Sequence, residues 1–287
     1  MINKCGNIQT FLGCDADYNS ADLVIFGAPY DGTTTNKPGA RFGPAAMRAD
    51  SWGLESYSPY CERDLEDFAI YDAGDLDLPM GDSNPVLERI EAAITDIAKD
   101  GKIPLMLGGE HLVTLGAIRA LHRVHPDLHI IHFDAHADLR DEYIGNKLSH
   151  STVIRHCWDL LGDNKIFQFG IRSGERAEFD WAKNHTVLRK FDLAGLDDIL
   201  GNIIGRPIYF TLDLDVLDSG IFWGTGTPEA GGISFAELLA GIGKFAGQNL
   251  VGADIVELAP NLDISGQSTA TACKILRELI LTITKER

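Results

Sequence analysis

Pairable cysteines, long apolar runs and cationic residues are what this sequence is short of. Its five cysteines, Cys5, Cys14, Cys61, Cys157 and Cys273, are odd in number and scattered, with no CxxC pair. That pattern argues against a disulfide framework or a thiolate zinc site and predicts reduced thiols in a cytoplasmic protein. No apolar run approaches the roughly 18 residues that a membrane span requires. The opening MINKCGNIQTFLGCDADYN lacks the basic and apolar regions of a signal peptide. Lysine and arginine number 25 against 42 aspartates and glutamates, a formal net charge of −17. Such a charge repels a phosphate backbone, which argues against nucleic acid as a partner. Solubility alone accounts for it, although an acidic surface also draws in a small cation. No linker, composition shift, repeat or low-complexity tract divides the chain, so residues 1–287 read as a single domain.

What the chain does have is a rhythm of short apolar runs. They fall at 22–30, 67–74, 103–109, 128–134, 166–170, 207–215 and 250–258. Most are nearly continuous rather than alternating, as expected of strands covered on both faces. Helical spacing separates several of them. In 84–101, Val86, Leu87, Ile90, Ile94 and Ile97 line one face, and Gly101 closes the stretch. In 234–247, Ser234 and Glu237 form a capping box, and 265–287 carries a last apolar face. Alternating strands and helices predict a mostly parallel sheet between two helical layers. In such sheets ligands bind beyond the carboxyl ends of the strands.

The unusual residues fall at those ends. FDAHADLR (133–140) follows an apolar run and sets Asp134, His136 and Asp138 at alternate positions, which share a direction in an extended segment. A polar turn explains a lone aspartate. Two carboxylates and an imidazole together, without a cation, would repel and raise each other's pKa. YFTLDLDVLDSG repeats the pattern with Asp213 and Asp215, and LMLGGEHLVT supplies His111 after Gly108 and Gly109. Two imidazoles and four carboxylates exceed the needs of one ion and suit two. Oxygen-rich, thiol-free ligation favours Mn²⁺ or a similar hard ion, and such a pair makes water a nucleophile at neutral pH. His132 has the parity of Asp134 and lies one step deeper; a core histidine with an ordinary hydrogen bond is the favoured reading, an orienting partner the other. The histidines at 122, 125, 129, 156 and 185 show no ligand spacing and read as surface.

GGEH, FDAHADL and LDLDVLD, in that order, resemble the three metal motifs of the ureohydrolases, the arginase/agmatinase family. GAPYDGTTTNKPGARFGPAAMR, LSHST, FGIRSG, GTGTPEAGG and DIVELAP extend the likeness over most of the chain. The resemblance implies a three-layer α/β/α sandwich on an eight-stranded sheet, two Mn²⁺ per subunit and a homo-oligomer, often a trimer or hexamer. It implies that His111, Asp134, His136, Asp138, Asp213 and Asp215 hold the ions and that a hydroxide bridging them attacks a guanidinium carbon. Asp138 would relay the proton to the leaving amine. His150 would shuttle protons at the mouth, its plainer reading being a helix-start residue. Glu257 would pair with the substrate guanidinium, a planar fork that suits a carboxylate.

LRDEYIGNKLSH (139–150) is similar to bacterial agmatinases rather than to the arginase loop that reads an amino acid. Agmatine, hydrolysed to putrescine and urea, is therefore the expected substrate, with Asp141 or Glu142 expected to meet its far amine. Ser151, Ser219 and Trp223 depart from the family pattern and are expected to line or support the mouth. Guanidinobutyrase, guanidine hydrolase, arginase and formiminoglutamase activities, or a catalytically silent binding subunit, are the alternatives.

Overall fold

The computed structural model describes residues 9–284. Cys5 and the start of the segment inspected for a signal peptide lie outside them. Eight strands form the central sheet: β1 Leu23–Ala28, β2 Ile70–Asp75, β3 Ile103–Gly108, β4 His129–Phe133, β5 Ile166–Ile171, β6 Val187–Lys190, β7 Ile208–Asp213 and β8 Leu250–Val256. Their order is β2-β1-β3-β8-β7-β4-β5-β6, and every neighbouring pair is parallel. Seven of these strands match the apolar runs. The eighth, β6, is a four-residue edge whose Arg189 and Lys190 are exposed, so no apolar run marks it.

Helices cover both faces. On one lie α1 Gly43–Ser51, α6 Leu196–Asn202, α7 Phe235–Gly243 and α8 Gln267–Ile283, over Leu23, Ile25, Ile131, Phe133 and Phe210. On the other lie α2 Ser83–Lys99, α3 Thr114–Val124, α4 Val153–Leu161 and α5 Arg176–His185, over Val24, Phe26, Ile130 and Tyr209. Consecutive strand residues enter opposite cores, which explains the continuous apolar runs. The helix expected at 84–101 spans Ser83–Lys99: Asp82 caps it by accepting from the Asn84 amide at 3.0 Å, and Gly101 turns the chain at φ 72°. Its Ile94 is fully buried, and truncation there would cost about 2–5 kcal/mol. The Ser234–Glu237 capping box is present, but α7 ends at Gly243, short of the expected 247.

The chain passes from β3 to β4 across two places in the sheet, and β7 and β8 later occupy that gap. The four central strands, β3, β8, β7 and β4, thus come from distant stretches of sequence. Their carboxyl ends lie side by side at this topological switch, where open α/β sheets bind ligands.

Candidate metal centre and active-site cleft

His111 opens a short turn after β3, Asp134 follows β4, Asp213 ends β7 and Glu257 follows β8. His111 Nδ1 lies 3.1 Å from Asp134, 3.2 Å from Asp138 and 3.3 Å from Asp213, all through Oδ2. None of these contacts has hydrogen-bond geometry, and this buried nitrogen has no hydrogen-bond partner. The ring's other nitrogen shows why. Thr211 on β7 gives its hydroxyl hydrogen to Asp254 on β8 at 2.6 Å, so it can only accept from His111 Nε2 at 2.9 Å. On the neutral ring the proton therefore sits on Nε2, and Nδ1, the nitrogen whose lone pair is open to a cation, faces three carboxylates. That donor set fits a cation and little else.

A second group adjoins the first. His136 Nδ1 lies 3.0 Å from Asp215 Oδ2 and 3.5 Å from Asp134 Oδ1. The Ala135 amide donates to Asp215 at 3.1 Å and ties the two motifs together, while the His136 amide donates to Asp134 at 2.5 Å and the Asp215 amide to Asp213 at 2.9 Å within each. Ligand-type atoms of Asp134, His136 and Asp215 fall within 4.8 Å of one another, as do those of His111, His132 and Asp134. The six residues expected to hold ions are thus brought together, with His132 added beside them.

The electrostatics carry the same message. Burial, then Asp134, pushes the Asp138 carboxyl up to about 7. Burial, then Asp215 and Asp134, pushes Asp213 well above the ordinary carboxylate range. Burial opposes charge on His111 and His136, yet the surrounding carboxylates lift both well above the usual histidine value. Protons are filling the place of cations. Asp138 and Glu257 also hold left-handed backbone, at φ 53° and 65°, a conformation that is unfavourable for residues with side chains and tends to mark functional positions.

Above the cluster opens a cleft of about 280 Å³, lined among others by His136, Asp138, Tyr143, His150, Ser151 and Glu175. His150 starts a short turn, as its plainer reading has it, and also lines this cleft. Its Nε2 lies 3.1 Å from the Thr35 hydroxyl. Burial, then the charge on His136 and His111, pushes it down to about 4, which leaves it neutral at physiological pH. Glu257 is buried, accepts from the His111 amide at 2.8 Å and is raised well above its ordinary value by burial and then by Glu110.

Several expectations are corrected. Asp141 and Glu142 do not line the cleft; both are exposed, and Asp141 turns to Arg155 at 4.0 Å. Of the three departures only Ser151 lines it. Trp223 is 61% exposed, and its amide donates to Ser268 Oγ at 3.1 Å. His129 is not a surface residue: it is buried and stacked on Phe167. His132 is a core histidine, but its bond is no ordinary one, since Nε2 reaches Asp134 Oδ2 at 2.8 Å.

Four residues were not anticipated. Glu110, inside the GGEH motif, binds the Thr33 amide at 2.8 Å and the Thr33 and Thr34 hydroxyls, and burial pushes it up to about 7. Asp254, inside an apolar run, anchors Thr114, Tyr209 and Thr211. Glu229, in the GTGTPEAGG loop, lies 3.9 Å from His136 and accepts from the Ser173 hydroxyl at 2.9 Å. Glu175 stands on the cleft wall beside Arg140 at 3.1 Å. A buried acid within a strand was the only sequence signal, at Asp254. The others depend on contacts far apart in the chain.

A parallel eight-stranded sheet with metal-type clusters at its central strand ends defines the class, and the sequence agrees. The Arginase family profile matches residues 21–282, and the chain belongs to that family. Among its relatives, a Bacillus subtilis protein named agmatinase is 46% identical over 96% of this chain and 97% of its own. Proclavaminate amidinohydrolase of Streptomyces clavuligerus is 33% identical over 96% and 93%. A solved Clostridium difficile chain, 49% identical, superposes with a TM-score of 0.91 over 93% of this chain and 98% of its own. The agmatine ureohydrolase of Thermoplasma volcanium does so at 33% identity and 0.87, over 96% and 94%. Among the described residues Cys14, Cys61, Cys157 and Cys273 are unpaired, and no helix is long and apolar enough to cross a membrane.

Proposed function

We propose that the chain is a manganese-dependent agmatinase that hydrolyses agmatine to putrescine and urea. The observation that carries this reading is the His111 lone pair held among Asp134, Asp138 and Asp213 beneath a cleft open to solvent. His111, Asp134, His136, Asp138, Asp213 and Asp215 would hold two Mn²⁺ ions. Bound there, the ions would supply the Lewis acidity that makes water a nucleophile at neutral pH. Asp138 reaches both the cluster and the cleft, so its carboxylate can accept the attacking water's proton and pass it to the departing amine nitrogen. His150, neutral, can receive a proton at Nε2 from the mouth. Glu257 holds the His111 amide and, as the acid matching the family motif, would steady the guanidinium end.

The cleft wall favours an amine over a carboxylate at the far end of the substrate. Arg140 lines it but is engaged by Glu175 at 3.1 Å and Glu178 at 3.5 Å, which leaves the wall net acidic. This supports agmatine against 4-guanidinobutyrate. The reading extends to a single-domain cytoplasmic protein that assembles as a homo-oligomer, trimeric or hexameric. Exposed Phe42, Trp52, Tyr60 and Phe191 offer apolar surface for such assembly.

The test is urea release by Mn²⁺-loaded protein on agmatine, arginine, 4-guanidinobutyrate and guanidine in parallel. Turnover on agmatine alone is expected. Turnover only on another guanidine would refute the substrate, and no urea from any would refute the activity.

A further inference from the structure

His132 sits beneath the cluster, fully buried, with its ring edge-on to His111 at a centroid distance of 5.0 Å. Its Nε2 is placed where a third ion ligand could be, grouped with His111 and Asp134. Whether it binds an ion or serves one depends on which ring nitrogen carries the proton. The answer is written on the other side of the ring.

Gln168 on β5 is also fully buried. Its side-chain nitrogen lies 2.8 Å from the Ala137 carbonyl oxygen and 3.1 Å from His132 Nδ1. A carbonyl only accepts, so the amide must turn its NH₂ toward Ala137, and its oxygen takes the Thr186 hydroxyl at 3.1 Å. The second hydrogen of that NH₂ then points at His132 Nδ1, which must accept it. The proton of the neutral ring is left on Nε2, aimed at Asp134 Oδ2 at 2.8 Å. A nitrogen that carries a hydrogen offers no lone pair to a metal.

We propose that His132 is a positioning residue, its tautomer fixed by Gln168 so that it donates to Asp134 and is not itself an ion ligand. The chain Thr186–Gln168–His132–Asp134 runs from the end of α5 to the centre of the site. It holds one oxygen of Asp134, while the His136 amide holds the other. Both are thereby aimed, as outer partners of metal ligands commonly are. It mirrors the Asp254–Thr211–His111 chain with opposite outcome: that one leaves a lone pair facing the cluster, this one a hydrogen. The inference rests on the metal centre proposed above.

The test combines ring nitrogen-15 NMR of the metal-free full chain with Mn²⁺ titration of variants. The wild type should show His132 as the neutral Nε2–H tautomer. His132→Gln, whose amide nitrogen can reach the same donor position, should bind Mn²⁺ within about 3-fold of the wild type. His132→Phe should bind it ~10–100-fold more weakly, and Gln168→Leu should fall between. The melting temperature of each metal-free variant reports folding, and Gln168→Leu keeps the test open should His132→Phe not fold. An Nδ1–H tautomer, or His132→Phe binding like the wild type, would overturn the proposal. His132→Gln as weak as His132→Phe would make His132 a ligand instead. Failure of the wild type itself to bind Mn²⁺ would bring down the metal-centre reading, and this inference with it.

Discussion

The floor and the rim of the cleft are built differently. On the floor the acidic groups and the His111 and His132 rings are buried and His136 is half-buried, all on or just beyond the carboxyl ends of the central strands. On the rim, residues 139–149 form an open loop in which Asp141, Glu142, Ile144 and Lys147 are exposed. Buried charges interact strongly and are expensive to leave unpaired, whereas exposed pairs are worth little. The chemistry therefore resides in the floor, and the rim can only tune which guanidine enters.

The largest effect that would sharpen this contrast is expected from Asp138→Asn. It removes the proton acceptor and weakens a ligand, so kcat on agmatine should fall by at least ~10²–10⁴-fold. Activity within a few-fold of the parent would break the assignment. Next comes pH. In the metal-free chain burial opposes protonation of His111 and His136, but their carboxylate neighbours win and lift both well above the usual range. An arriving ion must displace those protons, so Mn²⁺ affinity should rise with pH, by about 10-fold per unit for each proton displaced. Calorimetry in buffers of different ionisation enthalpy would detect the released protons, and a pH-independent affinity with no release would contradict it.

On the rim the effects shrink. Glu175 is 60% exposed at its side chain, so its pairing with a distal ammonium is worth ~0.2–1 kcal/mol. Glu175→Gln should therefore raise KM for agmatine about 1.4–5-fold and leave kcat unchanged. A loss of kcat would place Glu175 in the floor's machinery. The smallest effect belongs to Asp141→Ala combined with Glu142→Ala, for which KM should stay within about 2-fold because neither residue faces the cleft. A tenfold rise would show that the loop closes over the substrate.

The same division separates what was legible in the sequence from what was not. Asp134, His136 and Asp138 announce themselves by their alternate spacing just past a strand end, although the strand stops at Phe133 and the backbone at Asp138 is left-handed rather than extended. The apolar runs became strands because burial on both faces demands them. Asp141 and Glu142 were misread because charge and nearness in sequence say nothing about which way a loop turns. Gln168 and Thr186 carry no local mark, since the meaning of Gln168 arises from His132, 36 residues away on the neighbouring strand, and that of Thr186 from Gln168. His132 itself was visible by parity, but burial alone could not tell a packed ring from a working one.

The strand order has a consequence for how the protein is made. β8 comes last in the chain of the eight sheet strands, yet it lies between β3 and β7 in the middle of the sheet. Roughly 120 residues separate Asp134 from Glu257, and a ribosome adding ~5–20 residues per second needs ~6–24 s to cover them. Throughout that interval the emerging chain exposes unpaired strand edges, the surfaces most open to mispairing. The centre of the sheet closes only when β8 slots between β3 and β7, so Glu257 and Asp254, the anchor of the His111–Thr211 pair, join the site after all six candidate ligands have been made.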